Sequence, residues 1–596
     1  MGFLKSFFAS LLAIFVTLFL LFIFVLILVF SASRESEPYV RNGTVLEVKV
    51  GNTLPETPPS DPFAMLFSDP SRVPVTLRGL ESNLEKAAAD DRIEGVWFKI
   101  NNIAAPWTNL IALREKMVEF RQESGKFIYV STDDIGFNEQ GFFLATAADS
   151  IFSPPETFFE FDGFFIQAVF FRDMLEKIGV EAEIFRAGEY KSAVEPFFRR
   201  DFSSENEEQL QAIVDNVADT FLAAVSERTG RTRAELDVIM NETPILTSRS
   251  AYEAGLIDLL VYPDEVEKRL ENRVVENGND ELRTITYQRY NRVKKSTAGV
   301  QEPDTKNRIA VIYATGSIMP EFDSQSIFPG KDENITVRNI SESLDEALED
   351  ENIKAIVLRI TSPGGSGATS DIIWNKIREA ATEKPVIASL GSVAASGGYY
   401  IGMAADTVVA SSQTITGSIG VFGVVMNMQE LLNDKLGIHF DAVTSHEQAI
   451  WISPDKPMSE TARQTFQGYI DDFYDVFLER VAVSRNMSTQ EVHEVASGRV
   501  WTGNQALEAG LVDVIGELST ALAIAADMAE IEEYKIETYP KPKSIIEMFT
   551  GSAQTQVRML FQPHIKGLEY LDPMLHILNN DPRAVIARIP FDHKIH

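Results

Sequence analysis

The stretch GSVAASGGYYIGMAAD, residues 391–406, sets Ser396 between small residues and a pair of glycines, a composition suited to exposing a hydroxyl on a tight turn. A serine hydroxyl becomes a nucleophile only when a neighbouring group takes its proton. The first of the seven histidines is His439, and none of them stands in an obvious catalytic setting. The chain has no cysteine, which excludes disulfides, thiolate metal ligands and a cysteine nucleophile. The base for Ser396 must therefore be sought among other residue types.

Internal repetition shows where to look. AAADDRIEGVWFKI (87–100) resembles ALEDENIKAIVLRI (347–360), and FFLATAAD (142–149) resembles YYIGMAAD (399–406). VADTFLAAV (217–225) matches FYDVFLERV (473–481), and AYEAGLIDLL (251–260) matches ALEAGLVDVI (506–515). Four blocks in one order at a nearly constant offset mark a tandem duplication. Where the copies differ, function is concentrated. After AIVLRI the second copy reads TSPGGSG (361–367), whereas the first reads NNIAAPW (101–107). Paired glycines just past a parallel strand can turn backbone N–H groups outward to hold an oxyanion. Aligned on the shared AAD, Ser396 falls on Glu139 and Gly397 on Gln140, so the first copy lacks the serine turn.

The first copy holds what the second lacks. GEYKSAVEPF (188–197) places Lys191 among Tyr190, Ala193, Val194 and Phe197, and the corresponding TSHEQAIWIS (444–453) contains no lysine. This reciprocal loss makes Lys191 the candidate base for Ser396. A free lysine titrates near 10.4, so a base working near neutrality requires its ammonium to be destabilised by roughly 4–5 kcal/mol. Burial without a carboxylate partner does that. Glu189 and Glu195 would oppose it if they pointed inward.

RITSPGGSG, GSVAASGGYYIGMAADTVVASSQTITGSIGV and GEYKSAVEPF together resemble the signal peptide peptidase A family, also called protease IV, in its long, duplicated form. The resemblance runs from residue 41 to about residue 540. It implies a tandem Clp-protease/crotonase-like α/β fold and a serine endopeptidase with a serine/lysine dyad, Ser396 as nucleophile and Lys191 as general base. It further implies that Ser418, in TGSIG, positions the lysine amine; the copies diverge here too, with Phe161 opposite Ser418. The oxyanion donors it implies are the N–H groups of Gly365 and Gly397. It implies hydrophobic remnants of cleaved signal peptides as substrates, along with other envelope polypeptides, and assembly into a homotetramer. No metal or other cofactor is expected. Tyr399, Tyr400 and Phe422 lie near the motif, where each is either a wall of an apolar groove or core packing. Two alternatives are a crotonase-type acyl-CoA enzyme, which uses a similar oxyanion device without needing Ser396 and Lys191 together, and a non-catalytic membrane-tethered scaffold.

The elements that must position these residues follow from periodicity. Short apolar runs (GVWFKI, KFIYVS; AIVLRI, PVIASL) alternate with helical lengths, which predicts βαβ units and a mainly parallel sheet in each copy. The expected organisation is a cytoplasmic stub and anchor over 1–40, a first repeat over 41–274, a polar linker over 275–307, a second repeat over 308–540 and a tail of unassigned role over 541–596. Residues 7–30 are nearly all apolar, long enough to cross a bilayer core of about 30 Å. Lys5 before the run and Arg34, Glu35 and Glu37 after it favour a cytoplasmic N-terminus with the bulk outside, which places the catalytic repeats on the periplasmic side of a bacterial inner membrane. The run exceeds the usual length of a signal-peptide core, although SAS at 31–33 loosely resembles a cleavage site. A net charge of −33 argues against nucleic acid or anionic lipid as a partner.

Overall fold

A computed structural model of the 596-residue chain describes residues 37–58, 74–133, 135–242, 245–276, 281–321, 334–541 and 586–588, with a few isolated positions before residue 18. Most of the apolar run 7–30 and most of the tail thus lie outside the described residues. Among the described residues no helix is long and apolar enough to cross a membrane.

Each repeat is built on a sheet of mostly parallel strands. The first has the order β10-β1-β2-β3-β5-β9. Its strands are β1 (Thr44–Asn52), β2 (Ile93–Ile103), β3 (Phe127–Ser131), β5 (Ser150–Ser153), β9 (Leu259–Leu260) and β10 (Arg283–Thr286), every pairing parallel. Strand β10, in the stretch between the repeats, adds a strand to the first sheet. A small separate sheet joins β4 (Gly136–Phe137), β6 (Phe158–Phe161) and β8 (Ile245–Thr247).

The second sheet runs β18-β16-β14-β12-β11-β20, with β15 branching from β14 and carrying β19. These strands are β11 (Arg308–Thr315), β12 (Ile353–Ser362), β14 (Val386–Ala395), β15 (Thr407–Ala410), β16 (Ile415–Gly417), β18 (Val500–Thr502), β19 (Val514–Ile515) and β20 (Lys535–Tyr539). Only β18, antiparallel to β16, departs from the parallel pattern. The continuous apolar runs reflect burial on both faces. In β11, Ala310 and Ile312 enter one core while Ile309 and Val311 enter another on the opposite face.

A third, antiparallel sheet crosses the duplication. Its order is β13-β21-β17-β7, from β7 (Glu181–Ala187), β13 (Gly364–Ser366), β17 (Val421–Asn427) and β21 (Ile586–Arg588). Strand β7 belongs to the first repeat yet pairs along its whole length with β17 of the second, from Glu181↔Asn427 to Ala187↔Val421. This pairing carries the segment containing Lys191 onto the second repeat. A buried ion pair reinforces the junction. Arg359 of β12 bonds Glu56 of the first repeat at 3.0 Å and donates to Ser389 Oγ at 2.9 Å.

Candidate active site

Strand β14 is bent before it reaches the serine. Its register with β12 passes from Ile360↔Leu390 to Ser362↔Ala394, so it carries two extra residues there, and its neighbour changes from β15 to β16. Such a bulge re-aims the strand end. Ser396 follows directly and caps the helix Gly397–Gly402 with φ 56° and ψ −117°, a conformation that a residue with a side chain adopts only under constraint. The constraint is visible: Ser396 N donates to Gly417 O at 2.7 Å, and Tyr400 N donates to Ser396 O at 2.8 Å.

Lys191 reaches this serine from the first repeat. Its Nζ lies 2.8 Å from Ser396 Oγ, 2.9 Å from Ser418 O and 3.0 Å from Ser418 Oγ, all within one chain. Lys191, Ser396 and Ser418 are all buried. Burial pushes the lysine well below its usual pKa, with no charged neighbour contributing. The two nearby glutamates do not interfere. Glu189 is exposed, and Glu195 is turned to accept from Ser203 N, Ser203 Oγ and Asn206 Nδ2. A neutral amine has two N–H groups and one lone pair. Ser418 O and Oγ accept the two N–H groups, leaving the lone pair for the seryl proton.

The paired glycines lie alongside. Ile318 N donates to Gly364 O at 2.9 Å, and Ser366 N donates to Ile318 O at 2.8 Å. Planarity of the two intervening peptides turns the N–H of Gly365 away from Ile318. A Cβ on Gly397 would stand 3.2 Å from Gly365 N, which shows how closely the two backbones approach. Gly365 has φ 155°, and a Cβ there would lie 2.0 Å from Ile318 O, so only glycine fits. The structure thus brings all five sequence-chosen residues together: Ser396, Lys191, Ser418, Gly365 and Gly397. Strand β21 pairs on the same edge of β13, setting Ala587 opposite Gly365.

Tyr399, Tyr400 and Phe422 are core residues. The two tyrosines are fully buried and donate to Leu511 O and Asp371 Oδ1, while Phe422 packs with Val194 and Val424. Among the described residues no cluster of His, Asp or Glu is placed to hold a metal ion.

The equivalent place in the first repeat is filled by side chains. In the alignment that sets Ile100 on Ile360, Ala105 falls on Gly365. Gln140, at the position of Gly397, accepts from Ala105 N at 2.9 Å and donates to Ala105 O at 3.1 Å. Glu139, at the position of Ser396, accepts from Asp162 N at 3.1 Å, and burial pushes its carboxyl up to about 7. Phe161, at the position of Ser418, packs against Phe221. The first copy has closed its site and kept the lysine arm.

Comparison with known proteins finds the same duplication. The family model described as "Peptidase family S49" matches residues 120–275 and again 378–532. "Serine protease SPPA, chloroplastic" from Arabidopsis thaliana is 34% identical over 493 residues, covering 83% of this chain and 70% of that protein. "Protease 4" from Salmonella typhi is 32% identical over 497 residues, covering 82% and 77%. "Putative signal peptide peptidase SppA" from Enterococcus faecium is 33% identical over 222 residues, covering 37% of this chain and 64% of that protein.

Proposed function

The chain belongs to peptidase family S49 and is a serine-type peptidase, and we propose that Ser396 is its nucleophile and Lys191 its general base. The observation that carries this reading is the 2.8 Å approach of a buried, carboxylate-free lysine amine to the serine hydroxyl. The neutral amine takes the proton of Ser396 as Oγ attacks the peptide carbonyl. Negative charge develops on the carbonyl oxygen, where the N–H groups of Gly365 and Gly397 receive it. The new ammonium directs its three protons at Ser418 O, Ser418 Oγ and the reacting oxygen. It gives one proton to the departing amine as the tetrahedral adduct collapses to the acyl-enzyme. The amine, neutral again, takes a proton from water, whose oxygen attacks the ester. Returning that proton to Ser396 Oγ releases the acid and restores the start.

The substrates proposed are hydrophobic remnants of cleaved signal peptides and other envelope polypeptides, degraded by endoproteolysis. The name of the Enterococcus faecium relative, "Putative signal peptide peptidase SppA", supports the signal-peptide part of this reading. Residues 7–30 are proposed to anchor the enzyme in the inner membrane with both repeats on the periplasmic side, and the working assembly is proposed to be a homotetramer. The chemistry is tested by incubating the detergent-solubilised full chain with a synthetic signal peptide and identifying fragments by mass spectrometry. Wild type should cut within the apolar segment, and Ser396→Ala and Lys191→Ala should not. A folded Lys191→Ala enzyme cutting at the wild-type rate would overturn the dyad.

A further inference from the structure

One short segment holds both the lysine loop and the Ser418 loop. Residues 497–500 pass between them. Tyr190 N donates to Ser497 O at 2.9 Å on the lysine side. On the other side Ser418 N donates to Arg499 O at 2.7 Å, and Gly498 N donates to Ile419 O at 2.8 Å. Between these bonds the backbones of Gly498 and Lys191 touch. Gly498 has φ 82°, and a Cβ on it would lie 2.6 Å from Lys191 N and 2.7 Å from Lys191 Cβ.

Gln209, buried on the helix Ser204–Thr229, completes the clamp. Its Nε2 donates to Ser192 Oγ at 2.8 Å and Tyr190 O at 3.3 Å, the two neighbours of Lys191, and to Asn206 Oδ1 at 3.0 Å. Its Oε1 accepts from Val500 N at 3.0 Å. Val500 sits opposite Gly417 in the β16–β18 pairing, and Gly417 O is the acceptor for Ser396 N. One side chain thus brackets Lys191 on both flanks and ties it to the strand pair that holds the serine.

We propose that Gln209 and Gly498 are positioning residues that fix the Lys191 amine against Ser396 and Ser418 across the two repeats. The proposal rests on the serine/lysine reading. A lysine side chain has four rotatable bonds, and misplacing a reacting group by about 1 Å costs on the order of 10²-fold in rate. An amine tethered in only one repeat would inherit every small movement between the repeats. Gln209 and residues 497–500 make the lysine loop part of the second repeat's site.

Gln209→Met keeps the side-chain length and removes both the donor and the acceptor, and Gly498→Ala pushes a methyl into the Lys191 backbone. For each, the number of active sites is titrated with a fluorophosphonate, and kcat, KM and the pH profile are measured per labelled site. The proposal expects kcat per site to fall by about 10- to 100-fold with KM within about threefold. The acid limb of the profile should move to higher pH, because a loosened amine regains water and titrates closer to an ordinary lysine. A merely structural role would lower the yield of labelled sites and the melting temperature while leaving kcat per site and the acid limb unchanged, which would overturn the proposal. If Gly498→Ala fails to fold, Gln209→Met decides alone. Absence of Ser396 labelling in wild type would instead sink the dyad reading beneath it.

Discussion

Gly365→Ala is the smallest change that separates oxyanion stabilisation from binding. The added methyl would start 2.0 Å from Ile318 O, while Cβ contacts closer than 3.0 Å essentially do not occur. The backbone at 365 must therefore move by about 1 Å or more, and the φ of 155° that aims its N–H becomes unfavourable as well. Losing one oxyanion donor costs about 10²–10³ in kcat, or roughly 2.7–4 kcal/mol, at constant ground-state affinity. The assay is steady-state hydrolysis of a fluorogenic peptide with a parallel thermal melt. Gly468→Ala serves as the control, since Gly468 lies within the helix Glu460–Arg485 with nothing near its absent Cβ. That control should keep full activity and gain about 0.5–1 kcal/mol in stability. The expected result for Gly365→Ala is a kcat at least 100-fold down with KM within about threefold. A folded Gly365→Ala enzyme with wild-type kcat would refute the assignment of that N–H.

Three further outcomes are expected. Lys191→Met should raise the melting temperature, and by more at low pH than at high pH. Burial depresses the native pKa, so between that value and about 10.4 the unfolded chain holds a proton that the native chain lacks, and wild-type stability climbs with pH through that window. A pH-independent difference between the two proteins would contradict a desolvated lysine. Ser418→Ala removes one of the two N–H acceptors of the amine, so kcat should drop roughly 10- to 100-fold, in line with about 1.5–3 kcal/mol for a hydrogen bond to a charged group. Unchanged kcat would show that the Ser418 carbonyl suffices. Truncation after residue 541 removes β21 from the Gly365 edge, so a fluorophosphonate should modify Ser396 faster in the truncated enzyme. Equal rates would mean that this strand does not restrict access.

The residues of the candidate site were legible in the sequence because duplication supplies an internal comparison. Ser396 stands out against Glu139, the glycines at 364 and 365 against NNIAAPW, and Lys191 against TSHEQAIWIS, all within one chain. The parallel sheets were legible for a physical reason: strands buried on both faces must be apolar throughout, and AIVLRI and GVWFKI are. The antiparallel sheet that delivers the lysine was not. The β7–β17 pairing joins residues about 240 positions apart, and EAEIFRA carries no mark of its partner. Gln209 is no more legible. A glutamine in a polar helical stretch looks solvated, and its burial follows only from the approach of Val500 and the lysine loop. Gln140 shows the converse, since its contrast with Gly397 was visible but its bonds to Ala105 required the folded loop.

The most direct test of the account is the pH dependence of Ser396 phosphonylation by a fluorophosphonate, with the modified residue located by mass spectrometry. This reaction needs the nucleophile and its base but no peptide-binding step. Modification is expected at Ser396 alone, at a rate that rises with pH through one apparent pKa well below 10.4 and collapses in Lys191→Met. A Lys191→Met enzyme phosphonylated at Ser396 with the wild-type rate and pH profile would contradict it.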